Sequence, residues 1–122
     1  MRIFKTRVFN RFARRSGLDD RLLATAVDDV SRGLVDADLG GGVLKQRVAR
    51  PGGGKSGGFR TIIVFRIGDH AFFVYGYAKN ERANIRNDEL VEFRRLASIL
   101  FAYGDDAISA AIAAGELFEV NS

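Results

Sequence analysis

The chain of 122 residues contains no cysteine. That removes disulfides, thiol nucleophiles and thiolate metal sites together, and makes a reducing compartment the simplest setting. No apolar run approaches the roughly 18 residues that a membrane span needs, and none follows the basic stretch "MRIFKTRVFNRFARR" as a secretory core would. The expectation is a cytoplasmic protein that does not cross a membrane. The only histidine, His70, falls in a turn between two predicted strands and reads as a surface residue, not a catalyst. Internal repeats, linkers and low-complexity segments are missing too, so one domain over residues 1–122 is expected.

What is present is an ordinary globular composition, 47% hydrophobic and 28% charged, enough for a packed core and against disorder. The net charge of +4 matters less than its distribution. Residues 1–18 hold six basic side chains and no acid, and residues 39–68 hold another six, Lys45, Arg47, Arg50, Lys55, Arg60 and Arg66, again with no acid. The acids gather in 19–38 and from Asp88 onward. Such separation points to a basic face for a polyanion, although charge that merely follows helix faces would look similar.

Two helices are predicted first. Thr6 caps "RVFNRFARRSG", in which Val8, Phe9, Phe12 and Ala13 share a face, and Asp19 caps "LDDRLLATAVDDVSRG", with a stripe of Leu22, Leu23, Ala26, Val27 and Val30. "RIFKT" before them can form a short strand. The period then changes: "VLKQRVAR", "FRTIIVFRI" and "HAFFVYGYA" read as three antiparallel strands, the last two joined by a turn at residues 67–70. The two helices are expected to cover one face of that sheet. Asn87 is the expected cap of a third helix with Leu90, Phe93, Ala97 and Leu100 at core spacing, and residues 105–122 form a final helix and short strand.

Residues 49–65, "ARPGGGKSGGFRTIIVF", contain A-x-x-x-x-G-K-S, a relaxed phosphate-binding loop pattern. A loop of that kind works by opening into a helix, whose free N–H groups and dipole hold the phosphates. Here Gly57 and Gly58 lead into an extended segment, so a nucleotide hydrolase is not the reading. The segment is a hairpin loop instead, with Arg50, Lys55 and Arg60 near one end of the sheet and Lys45 and Arg47 on one face of the preceding strand. A solvated edge hairpin made basic against aggregation is the competing view. Tyr75 and Tyr77 share a face of the third strand, and tyrosines beside Lys and Arg suit bases and phosphates, although Phe73, Tyr75 and Tyr77 would also suit a core.

The segments "LKQRVARPGGGKSGGFRTIIVFR" and "FFVYGYAKNERANI" resemble the RelE/HigB family of bacterial and phage toxins from toxin-antitoxin operons, in the phage-type branch with a G-K-x-G-G-x-R hairpin and an A-K-N-E segment. The resemblance is carried by residues 44–85, and the segment from Asp105 on is less familiar. It implies an α+β microbial-RNase-like fold, an antiparallel sheet of three to four strands packed against two N-terminal helices, with C-terminal helices. It implies ribosome-dependent cleavage of messenger RNA by 2′-hydroxyl attack, without metal or cofactor, and a cognate antitoxin, commonly a helix-turn-helix DNA-binding protein.

Carried over by position, Lys45 and Arg47 match the basic residues before the family's loop, one of them a candidate base. Arg60 matches the arginine expected to stabilise the phosphorane. Lys79 and Arg82 flank the site, with Glu81 orienting an arginine or relaying a proton. Arg50, Lys55, Tyr77, Asn80 and Arg86 complete the set as RNA-binding residues. Two departures bear on activity: Asn80 stands where nuclease members have an arginine, and Arg86 where they have a tyrosine, which leaves the acid unassigned. A gyrase-poisoning toxin of the ParE type and a catalytically decayed RNA-binding homologue are the alternatives.

Overall fold

A computed structural model describes residues 1–53 and 57–121. The order of elements is β1 (Ile3–Thr6), α1 (Arg7–Ser16), α2 (Asp20–Ser31), β2 (Ala37–Asp38), β3 (Val43–Val48), β4 (Phe59–Val64), β5 (Ala71–Ala78), α3 (Asn87–Phe101), α4 (Asp105–Ala113) and β6 (Leu117–Glu119). Local chemistry sets the helix ends. The Phe9 N–H donates to Thr6 Oγ1 at 3.3 Å, the Leu22 N–H donates to Asp19 Oδ1 at 2.9 Å, and Gly17 at φ 71° stops α1 in the left-handed conformation.

The fold is α+β, with one sheet of six strands in the order β2-β3-β4-β5-β1-β6. The sequence led to a sheet of three or four strands. The two-residue β2, too short to show a period, was not foreseen, and the short C-terminal strand that was expected, β6, joins the sheet through β1; each closes an edge. The β3–β4–β5 meander is antiparallel as expected, but β1 lies parallel to β5, with Ile3 opposite Ala71 and Lys5 opposite Phe73.

Both faces of the sheet are covered, where one cover was expected. On one face Phe9, Phe12, Leu23 and Val27 of α1 and α2 pack on Leu44, Val48, Phe59, Ile63 and Phe73. On the other, Ala97, Leu100, Ile108 and Ala111 of α3 and α4 pack on Val43, Ile62, Val64 and Phe72. Each large apolar side chain so buried contributes about 1.5–3 kcal/mol. Two details differ from the sequence reading. Val8 faces solvent, because Phe9, Phe12 and Ala13 already fill the inward stripe of α1. Arg86, not Asn87, occupies the N-cap of α3, and its N–H donates to Glu89 Oε1 at 2.7 Å. Among the described residues, no single helix is long and apolar enough to cross a membrane.

One irregularity places the site. Ile63 pairs with Phe73 and Ile62 pairs with Tyr75, so Val74 is an extra residue bulged out of β5. Strict alternation from Phe72 would send Tyr75 and Tyr77 to the α1 face. The bulge turns them to the α3 face, where Tyr75 lies 5.7 Å from Phe93.

Candidate functional site

The α3 face of the sheet is apolar only at one end. Along β3 the sequence Val43, Lys45, Arg47 passes from apolar to basic at period two, while Leu44, Gln46 and Val48 point the other way. Arg47 is paired with Arg60, and Arg60 with Tyr77, forming a row across three strands. A second row behind it runs Lys45, Ile62, Tyr75. Two of these register positions place arginines side by side, an arrangement that destabilises a sheet unless acids or an anion offset it.

Acids from distant segments do part of that work. The Arg47 N–H donates to Asp36 Oδ2 at 2.5 Å, and the Arg47 guanidinium lies 3.6 Å from the same carboxylate. Lys45 Nζ donates to Asn84 Oδ1 at 3.4 Å. Arg82 donates to both oxygens of Glu89, at 2.5 and 3.1 Å, and to Tyr75 Oη at 3.0 Å. Its guanidinium sits 5.7 Å and 5.5 Å from the ring centres of Tyr75 and Tyr77. The Arg82 guanidinium draws the Glu89 carboxyl down to about 2, and the bond to Glu89 raises Arg82 in turn.

Arg60 is treated differently. Among the described residues it has no ion pair, and its Nη1 is buried without a hydrogen-bond partner. Its register neighbour has the same property, for Tyr77 is 3% exposed and its Oη is likewise buried and unpartnered. Burial raises the Tyr77 phenol above its ordinary value, with Arg60 and Arg82 pulling the other way, so the group remains a protonated donor. Two unsatisfied buried donors at adjacent register positions cost free energy in the free protein. An oxyanion set between them would satisfy both at once.

The remaining expected residues separate. Arg50 does not join the row; its guanidinium stacks over Phe59 at 4.7 Å, on the α1 face, and its Nε donates to the Gly57 carbonyl at 2.9 Å. Lys79 and Asn80 are exposed at the end of β5 and line a hollow of about 430 Å³ with Arg50, Gly57 and Gly58. Glu81 lines a smaller hollow of about 200 Å³ with Tyr75, Tyr77 and Arg82. Arg86 is exposed and held by Asp88 at 3.0 Å. Lys55 lies outside the described residues. The chain enters β4 two residues after Gly57, so among the described residues no α-helix opens there, and the segment leads into a strand. Gly58 is needed there, because a Cβ would stand 2.2 Å from the Val48 carbonyl oxygen.

Sequence reasoning missed Glu89, Asp36 and Asn84, and took Tyr75 only as a neighbour of Tyr77. Glu89 carried one signal, being an acid in the first turn of a predicted helix, which suggests a capping role but not a partner on another element. Among the described residues, no three His, Asp or Glu side chains gather as a metal site.

A family model described as the RelE toxin of the RelE / RelB toxin-antitoxin system matches residues 1–120. No curated protein matches the chain.

Proposed function

Because the chain belongs to the RelE toxin family of toxin-antitoxin systems, we propose that it is an endoribonuclease that cuts messenger RNA on the ribosome, with the Arg47–Arg60–Tyr77 row as its phosphate site. The observation that carries this reading is the pair of buried donors, Arg60 Nη1 and Tyr77 Oη, that have no partner among the described residues. A phosphate offers an oxygen to each of them.

In the proposed reaction the RNA 2′-oxygen bonds to the adjacent phosphorus as the bond from phosphorus to the 5′-oxygen breaks. One proton leaves the 2′-hydroxyl and one arrives at the departing 5′-oxygen, giving a cyclic phosphate and a free 5′-hydroxyl. Arg60 stabilises the charge that builds on the non-bridging oxygens, a role for which a preorganised donor supplies about 100- to 1000-fold. Lys45 is the base in this reading, since a lysine exchanges its proton where an arginine retains it and Arg47 is engaged by Asp36. Tyr77 is the acid. Arg86, which stands where the resemblance led one to expect a tyrosine, is tied to Asp88 at the start of α3. The Tyr77 hydroxyl is enclosed in the free protein, so reaching it requires flanking side chains to turn onto the bound phosphate. Arg82, held by Glu89 over both tyrosine rings, keeps a fixed positive charge beside them.

The family implies an antitoxin partner. In this reading it is a helix-turn-helix DNA-binding protein with an acidic segment that neutralises the basic face.

The test is cleavage of a ribosome-bound messenger in cell-free translation, under metal-limited conditions, comparing the wild type with Arg60→Ala. Cuts within the translated region that vanish in the variant support the reading. Intact messenger together with arrested growth moves the assignment to a gyrase poison, and intact messenger without toxicity moves it to a decayed homologue.

A further inference from the structure

The hollow that holds Tyr75, Tyr77, Glu81 and Arg82 is closed on its other side by α1, through Val8, Arg11, Phe12 and Arg15. It exists because β1 pairs with β5 only as far as Phe73, so the edge of β5 beyond that point is left facing α1. The two elements come close there, and a Cβ on Gly76 would stand 2.4 Å from the Phe12 ring. A second hollow, of about 260 Å³, is lined by Arg7, Asn10, Arg11, Arg14 and Arg15. The two hollows share Arg11 and Arg15, so the surface runs from Tyr77, at one end of the phosphate row, over the helix.

The helix side of that surface carries charge of one sign, with the acid Glu81 facing it from the end of β5. α1 carries no acid at all, and among the described residues Arg11, Arg14 and Arg15 have no ion pair with an acid. Arg7 is accounted for otherwise, since it donates to the carbonyls of Gly115 and Ala114 at the end of α4. Arg14 and Arg15 sit in the last turn, where the helix dipole favours cations, but Arg11 sits in the middle and Arg15 repeats its charge one turn later, which the helix alone disfavours.

We infer that the arginine ridge of α1 is a binding track for single-stranded RNA, taking the phosphates that flank the one held between Arg60 and Tyr77. The inference rests on the site's taking RNA as proposed above. The chemistry recognised is the repeating backbone phosphate, so binding over the ridge is insensitive to base sequence and strongly dependent on salt.

The experiment measures fluorescence anisotropy of full-length protein with labelled 2′-O-methyl oligoribonucleotides, which resist 2′-hydroxyl attack, in two lengths, about 3 and about 15 nucleotides. It compares the wild type with the triple variant Arg11→Ala, Arg14→Ala, Arg15→Ala, across a salt series. All three side chains are on solvent-facing positions of α1, and a thermal melt checks that the fold is kept. With the long probe, the log-log salt slope should fall by about 2 in the variant, at ~0.7 per lost contact. With the short probe the slope should not change. A charge control, Arg21→Ala with Arg95→Ala on other helices, should leave the long-probe slope in place. An unchanged long-probe slope in the triple variant, an equal loss in the control, or no binding of either probe overturns the track. Competition at the ridge by polyglutamate, with RNA slopes unchanged, assigns the ridge to an acidic protein and overturns it too. The two proposals fail separately. Cleavage with no change in slope removes the track alone, and a length-dependent slope without cleavage removes the nuclease alone.

Discussion

On the α1/α2 side of the sheet, Leu44, Val48, Phe59, Ile63, Phe73 and Ala78 form a mainly apolar layer, broken only by the paired Gln46 and Thr61. On the α3 side the same strands carry Val43, Ile62, Val64 and Phe72 at one end and Lys45, Arg47, Arg60 and Tyr77 at the other. The first face is closed by packing, and its two buried polar side chains, Gln46 and Thr61, are both hydrogen-bonded within the protein. The second is closed for half its length, and its polar end relies on ion pairs with Asp36 and Glu89, while Arg60 has none among the described residues. The lesson is that folding and chemistry are divided between faces of one sheet, so substitutions on the two faces should move different quantities.

The largest effect is expected on the sealed face. Phe73 is fully buried and its ring lies 4.9 Å from that of Phe9. Phe73→Ala should cost about 3–5 kcal/mol of stability by denaturant unfolding, with cleavage per folded molecule unchanged. An equal loss of specific activity would break the division. Next comes the open face, where Arg60→Ala should lower cleavage by about 100- to 1000-fold with the melting temperature held or raised, since it removes a buried group that has no partner among the described residues. Tyr77→Phe, which deletes the other unpartnered donor, should behave in the same way, and a variant that melts early while still cutting would assign Tyr77 to the core instead.

Glu89 sharpens the comparison, because it serves stability and site together. Its folded carboxyl is depressed from 4.5 to about 2 by Arg82, so its ionised form contributes stability that is complete above about pH 4.5 and is lost as pH falls toward about 2. The gap in melting temperature between wild type and Glu89→Gln should therefore narrow as pH drops through that window, and a gap that stays constant would deny the ion pair. At neutral pH the same variant, by releasing Arg82, should slow cleavage by about 10-fold. The smallest effect is expected at Arg50, whose guanidinium covers Phe59 on the sealed face. Arg50→Ala should cost about 0.5–1 kcal/mol in unfolding experiments, and should lower cleavage far less than Arg60→Ala.

Much of this architecture was open to reading from the residues in order. Helix caps at Thr6 and Asp19, the inward stripe of α2, the β3–β4–β5 meander and the rejection of a nucleotide loop before β4 all depend on contacts within a few residues, and local patterns report local contacts. Lys45, Arg47 and Arg60 were legible for the same reason, as period two and a hairpin bring them to one face. Arg50 was legible as a cation but not as one that leaves its neighbours, since its direction follows from the Phe59 ring beneath it.

What distinguishes one arginine from another depends on how the elements dock. Asp36 reaches Arg47 from a loop before a two-residue strand, and Glu89 reaches Arg82 from the first turn of the helix that follows it. The bulge at Val74 is a matter of how β5 pairs with β4, and no alternation within β5 announces it, yet it turns Tyr75 and Tyr77 from the core side to the side of Arg60. The order of residues thus specifies which elements form and which groups are charged, because those depend on side chains a turn or a hairpin apart. Which charges are neutralised, and which buried donors are left for a ligand, depends on strand pairing and helix docking, and these are settled only when segments distant in the chain are packed together.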